Sequence, residues 1–128
     1  MSEGLTGVVL AHADLANALV AAVEAIVGPA HGLIPVSNIG CDRAAIVGKL
    51  EQALGSRPAV VFADMPGGSC AFGAAAFARG RPDVRVVTGV NLAMLLDFVF
   101  HRQLGAEQAA ERAMTTGRAA VTGVEAGR

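Results

Sequence analysis

The stretch AVVFADMPGGS (residues 59–69) decides how the chain is read. It opens with an almost unbroken apolar run, the mark of a strand buried on both faces of a parallel sheet. Asp64 ends the run, Gly67 and Gly68 mark a tight turn, and an Ala-rich helix (about 69–79) follows at once. Outward from this unit, the same strand-then-helix order repeats. LTGVVLA (5–11) reads as the first strand, and Asp14 is expected to cap a helix running to about Val27. The apolar face of that helix is expected at Leu15, Leu19, Ala22, Val23 and Ile26. GLIPVS (32–37) is a short second strand whose Pro35 argues for a sheet edge. Asp42 caps a second helix with Ile46, Leu50, Ala53 and Leu54 inward and Lys49, Glu51 and Gln52 toward water. DVRVVTG (83–89) is a fourth strand. Asn91 then caps a helix carrying Leu92, Leu95, Leu96 and Val99, and a last helix runs from about Ala106 to Gly117. VTGVE (121–125) fits either a strand or a tail.

Strands alternating with helices across short connections imply a parallel sheet with helices on both faces. The expectation is one α/β domain over residues 1–128: a flavodoxin-like, doubly wound, mostly parallel sheet of order 2-1-3-4. In that order strands one and three are neighbours, and the crevice beyond their C-terminal ends is where ligands bind. Two segments fall there, AHAD (11–14) and ADMPGGS (63–69).

Composition narrows the function. The chain is 53% apolar and 16% charged, with a net charge of −1. That is too apolar for a disordered segment and lacks the positive excess of a nucleic-acid binder. No uncharged stretch supplies the roughly 20 apolar residues of a membrane span. MSEGLTG has no basic segment of the signal-peptide kind, so a cytoplasmic protein without membrane insertion is expected. Cys41 and Cys70 stand in no metal or redox spacing, so reduced thiols and no metal are expected. Neither G-x-x-x-x-G-K nor G-x-G-x-x-G occurs, and no cofactor is expected.

His12 leaves the end of strand one and Asp64 ends strand three, so an imidazole and a carboxylate far apart in sequence are expected to meet. A carboxylate on one ring nitrogen fixes the tautomer and frees the other as a nucleophile. The Gly67-Gly68-Ser69 turn opens a helix, whose first N–H groups offer a seat for an anion. Together these parts suggest phosphoryl transfer through a phosphohistidine. Taken singly, each has a plainer reading: a packing histidine, a capping aspartate, a turn. Convergence at one topological place is what carries the functional reading.

At these residues the sequence resembles the enzyme IIA domain of the mannose family of the bacterial phosphoenolpyruvate-dependent sugar phosphotransferase system (PTS). GVVLAHADLANALVAAVEAIVG, VVFADMPGGSCAFGAAA, VVTGVNLAMLLDFV and AEQAAERAMTTGRAAV are each similar to a segment of that family. The GVN-x-x-MLL and D-x-x-GGS patterns with an early histidine are the specific part. The resemblance implies that His12 receives phosphate from the phosphocarrier HPr and passes it to enzyme IIB. It further implies that Asp64 orients the ring and that the Gly68–Ser69 turn lies against the phosphoryl oxygens. It also implies an added antiparallel edge strand, exchanged in a homodimer, which VTGVE is placed to supply. Alternatives are a phosphohistidine-switched regulatory module and a phosphoryl-donor subunit of dihydroxyacetone kinase. The chain departs from the family at Ala11, where Thr or Ser is usual, at Ala13, where Gly is usual, at Cys70, where Pro is usual, and at Gly73, where Asn is usual.

Other residues have simpler expectations. His31 and His101 are expected to be solvated and inert. Arg79, Arg81 and Arg85 form either a solvated edge or a docking surface for an acidic partner. Cys70, near a helix start, is either a thiol of lowered pKa or a packed cysteine. Gly67-Gly68-Ser69-Cys70-Ala71 approximates a hydrolase nucleophile elbow. Only His101 lies downstream to serve as its base.

Overall fold

The computed structural model describes residues 4–126. Four strands, β1 (Thr6–Ala11), β2 (Leu33–Ser37), β3 (Ala59–Ala63) and β4 (Val84–Thr88), form one all-parallel sheet of order β2-β1-β3-β4. The helices are α1 (Leu15–Val27), α2 (Arg43–Leu54), α3 (Gly68–Ala78), α4 (Leu92–Val99) and α5 (Ala106–Ala119). The predicted fold class and strand order are therefore the observed ones.

Strand alternation divides the core in two. Val9, Ala11, Val60 and Phe62 point to the face covered by α1, α4 and α5. Val8, Leu10, Val61 and Ala63 point to the face covered by α2 and α3. Every residue of β1 and β3 is buried, which is why these two strands read as continuous apolar runs. Phe62 packs edge-to-face on Phe98 of α4, with ring centroids 5.2 Å apart. Truncating either ring to Ala would cost about 3–5 kcal/mol. Gly7 makes room for this packing: a Cβ there would lie 2.7 Å from both Leu33 and the Phe98 ring.

Several local expectations need correction. The buried stripe of α1 is Ala16, Val20 and Val23, flanked by Leu19 and Val27, whereas Leu15 and Ile26 are exposed. The segment LANALVAAVEAIV is apolar almost all round, so two stripes of helical spacing fit it equally well. Docking on the sheet chooses between them. Asp14 sits at the N-cap but makes no capping bond; its φ of −101° and ψ of 10° are not the extended geometry of a cap, and its carboxylate accepts from the Asn17 amide instead. Asp42 and Asn91 do cap, accepting from the N–H groups of Ala45 and Met94. Lys49 is not simply turned to water: its ammonium donates to the Ser37 carbonyl at 2.9 Å. On α4, Met94 and Phe98 are buried beside Leu95, while Leu92, Leu96 and Val99 are partly covered.

His31 is not solvated. It is buried before β2, with Nδ1 accepting from the Leu33 N–H at 3.0 Å and Nε2 lying 3.5 Å from Glu24. His101 is half-buried, its Nδ1 2.8 Å from the Asp97 carbonyl. β4 is an edge strand, as its sequence suggested, but residues 121–125 form no strand against it within the chain.

Candidate active site

The site is built where β1 and β3 end side by side. Leu10 is in register with Ala63, so His12 and Asp64 leave the sheet as neighbours. One carboxylate oxygen, Asp64 Oδ2, accepts the His12 backbone N–H at 3.0 Å and lies 2.8 Å from His12 Nδ1. Backbone and ring are thus tied to a single atom. An ionised carboxylate only accepts, so Nδ1 carries the proton and Nε2 keeps its lone pair. The His12 side chain is 43% exposed and that of Asp64 11%. Burial works to raise the Asp64 pKa. The His12 backbone N–H, its ring hydrogen bond and, when the ring is protonated, its positive charge outweigh burial and hold the carboxyl below its ordinary 3.8. The second oxygen, Oδ1, is buried with no hydrogen-bond partner among the described residues.

The turn after β3 closes the other side. Gly67 stands at the N-cap of α3, and no side-chain cap occupies the helix start. Gly68 has φ +89°, a conformation that favours glycine, and a Cβ there would come 3.9 Å from His12 Cε1 and Nε2. The turn therefore faces the edge of the ring that Asp64 leaves open. Ser69 follows, its hydroxyl 3.5 Å from the Asn38 amide nitrogen. Cys70 is buried with Sγ 3.8 Å from His12 Nδ1. Burial first, and then the Asp64 charge, push its thiol up to about 11. This is the packed cysteine of the two alternatives, not the activated one.

Sequence reasoning missed a third contributor, the last residue of β2 and the first of the loop that follows it. Ser37 Oγ donates to the Ala13 carbonyl at 2.6 Å, and Asn38 Oδ1 accepts the Ala13 N–H at 3.1 Å. Both polar groups of Ala13 are thereby held, although its φ of +52° is left-handed and costs an L-residue about 1–2 kcal/mol. The signal was available: β2 is β1's other neighbour, so its C-terminal residues had to lie beside AHAD.

Large apolar side chains are exposed on each segment that carries the site: Leu15, Ile39, Met65 and Phe72, with the Arg43 guanidinium 5.6 Å above the Phe72 ring. The arginines before and in β4 are largely engaged within the chain. Arg81 stacks on Phe77 and donates to the Gly55 carbonyl, and Arg85 pairs with Glu107 at 3.2 Å. The hydrolase reading has no base at its serine: the Leu5 N–H donates to the Arg102 carbonyl, so His101 lies by the N-terminal end of β1, whereas Ser69 follows the C-terminal end of β3. An open groove of about 720 Å³ lies elsewhere, lined by residues of the α4–α5 connection and α5, among them His101, Glu107 and Arg112. None of the site residues lines it.

Solved structures share this fold. A mannose/sorbose-specific IIA subunit of the phosphotransferase system from Enterococcus faecalis is 23% identical, with a TM-score of 0.87 and coverage of 98% of each chain. A phosphotransferase system component EIIA from Streptococcus agalactiae is 18% identical, with a TM-score of 0.86, covering 93% of this chain and 96% of its own. A putative PTS permease from Klebsiella pneumoniae is 19% identical with a TM-score of 0.75, covering 96% of this chain and 93% of its own. No curated protein matches the sequence. The family described as "PTS system fructose IIA component" matches residues 6–115, a span that runs from β1 into α5 and holds His12, Asp64 and the glycine turn, and the chain belongs to this family of IIA components of the sugar phosphotransferase system.

Proposed function

We propose that His12 is the phosphoryl-accepting residue of this IIA component, taking phosphate from HPr and giving it to an enzyme IIB. The observation that carries this reading is the 2.8 Å contact between His12 Nδ1 and Asp64, with Nε2 left open opposite Gly68. The Nε2 lone pair attacks the phosphorus of phosphorylated HPr, a P–N bond forms to His12, and the P–N bond to HPr breaks. The ring then carries positive charge, which the adjacent Asp64 carboxylate offsets while keeping the Nδ1 proton in place. The Gly67-Gly68-Ser69 turn seats the phosphoryl oxygens on the first N–H groups of α3. Transfer onward reverses the step at the same nitrogen. Because an acceptor histidine held in one tautomer and one orientation supplies most of what in-line transfer requires, no cofactor is needed.

The apolar rim of Leu15, Ile39, Met65 and Phe72 is where the partner proteins dock, excluding water around the phosphoryl group. No helix among the described residues is long and apolar enough to cross a membrane. The outer edge of β4 borders a groove that includes Val86, Thr88, Met94 and Val121. A homodimer in which residues 121–125 of each chain cover the other's β4 edge satisfies those unpaired backbone groups.

Incubation with phosphoenolpyruvate, enzyme I and HPr tests the chemistry. The chain should gain one acid-labile, base-stable phosphate and lose it to an enzyme IIB; an acid-stable phosphate would refute a phosphohistidine. Light scattering tests the assembly. The full chain should be a dimer, and truncation after Gly117 should shift it toward monomer or aggregate.

A further inference from the structure

Cys70 has no part in the phosphoryl transfer proposed above, yet it completes a set of three different donors. His12 Nδ1, an Asp64 carboxylate oxygen and Cys70 Sγ all lie within 4.8 Å of one another. We propose that this cluster binds a zinc-type divalent cation, and that the bound ion and phosphate on His12 exclude each other. The inference rests on the reading of His12 as the phosphoryl acceptor.

The geometry fits the ion. Zinc–nitrogen bonds of about 2.0–2.1 Å and zinc–sulfur bonds of about 2.3 Å in a tetrahedron set the two ligand atoms about 3.6 Å apart. His12 Nδ1 and Cys70 Sγ are 3.8 Å apart. The 2.8 Å between Nδ1 and Asp64 Oδ2 is a hydrogen-bond distance, and the carboxylate must back away by about half an ångström to become a ligand. Asp64 Oδ1, buried and without a hydrogen-bond partner among the described residues, gives that carboxylate a second lone-pair site for the metal. Nitrogen, sulfur and oxygen together suit zinc or cobalt(II), and not magnesium or calcium, which take oxygen ligands. Water from the open side of the half-exposed ring supplies the fourth position.

The exclusion follows from the tautomer. Metal on Nδ1 displaces the proton that Asp64 holds there, and a neutral imidazole ligated at Nδ1 carries its proton on Nε2. Nε2–H has no lone pair in the ring plane and cannot attack phosphorus. The Cys70 thiol proton leaves to solvent, so one proton is released for each ion bound and affinity rises with pH.

Cobalt(II) reports the site directly. In a chain carrying Cys41→Ser, so that Cys70 is the remaining thiol, one equivalent should produce a thiolate-to-cobalt charge-transfer absorption. Zinc should then displace it. Adding Cys70→Ala should abolish the band and weaken zinc binding by more than about tenfold, since even loss of an outer partner of a ligand costs that much. No band in the Cys41→Ser chain overturns the proposal. So does zinc affinity unchanged by Cys70→Ala, which would mean binding at the exposed Nε2 alone. With phosphorylated HPr as donor, one equivalent of zinc should block phosphate uptake until a chelator is added. The Cys70→Ala chain should take up phosphate equally with and without zinc. Undiminished uptake by the zinc-loaded chain refutes the exclusion. Failure of the metal-free chain to take up phosphate refutes the His12 reading, and the cobalt spectrum still decides the metal site.

Discussion

His12 and His31 are the same side chain at opposite ends of the sheet, and they are wired in opposite senses. His12 follows the C-terminal end of β1, while His31 precedes β2. At His12 the nitrogen nearer the backbone donates to a carboxylate, which leaves Nε2 as an open lone pair. At His31 that same nitrogen accepts the Leu33 N–H, so its proton sits on Nε2, turned toward Glu24. His12 is 43% exposed at its side chain and His31 9%. The lesson is that a histidine becomes a nucleophile through what holds its other nitrogen, and that the C-terminal end of a parallel sheet supplies such a partner from the neighbouring strand.

The strongest way to break this comparison is to remove each ring in turn. His12→Ala should abolish phosphate uptake from HPr, whereas His31→Ala should retain it; uptake surviving in the first would overturn the contrast outright. Replacing Asp64 by Ala keeps the His12 ring but lets it turn and lose its tautomer. Uptake should slow by roughly 10²–10⁴-fold with near-native circular dichroism. An unchanged rate would show that the 2.8 Å contact does not matter for transfer. The next effect is thermodynamic. His31→Ala strands the buried Leu33 N–H and should cost about 1–3 kcal/mol in urea unfolding, a loss that a solvated histidine would not produce.

Acid sharpens the same contrast. The Asp64 pKa is lower in the folded chain than its ordinary 3.8, so folding favours the ionised form. Its contribution to stability is complete above the unfolded value and is lost as pH falls through the lower folded value. Stability measured from pH 6 downward should therefore fall less steeply below pH 4 in Asp64→Asn than in the wild-type chain. The smallest effect concerns the turn beside His12. Ala13→Gly relieves a left-handed alanine but adds backbone freedom to the unfolded chain, and the net gain should be about 0.5–1 kcal/mol. A loss of stability would show that Ser37 and Asn38 impose no strain on this turn.

What was legible in the sequence was whatever depends on near neighbours and on period. The unbroken apolar run of AVVFA announced a strand covered on both faces, and Asp42 and Asn91 announced the helix starts they cap. The strand–helix alternation implied a parallel sheet with helices on both faces, and the flavodoxin-like order expected for it, 2-1-3-4, is the observed β2-β1-β3-β4. From that order alone His12 and Asp64 were expected to meet, although 52 residues separate them. Only the tertiary structure decided which of two apolar stripes of α1 is buried, because a helix apolar almost all round carries no phase information and must take it from the surface it docks on. It likewise decided that His31 is buried, that Ser37 and Asn38 brace Ala13, and that Cys70 sits 3.8 Å from His12. The contacts of Ser37, Asn38 and Cys70 join neighbouring strand–helix units through the register of a parallel sheet, and register is a property of the assembled sheet, not of any one segment.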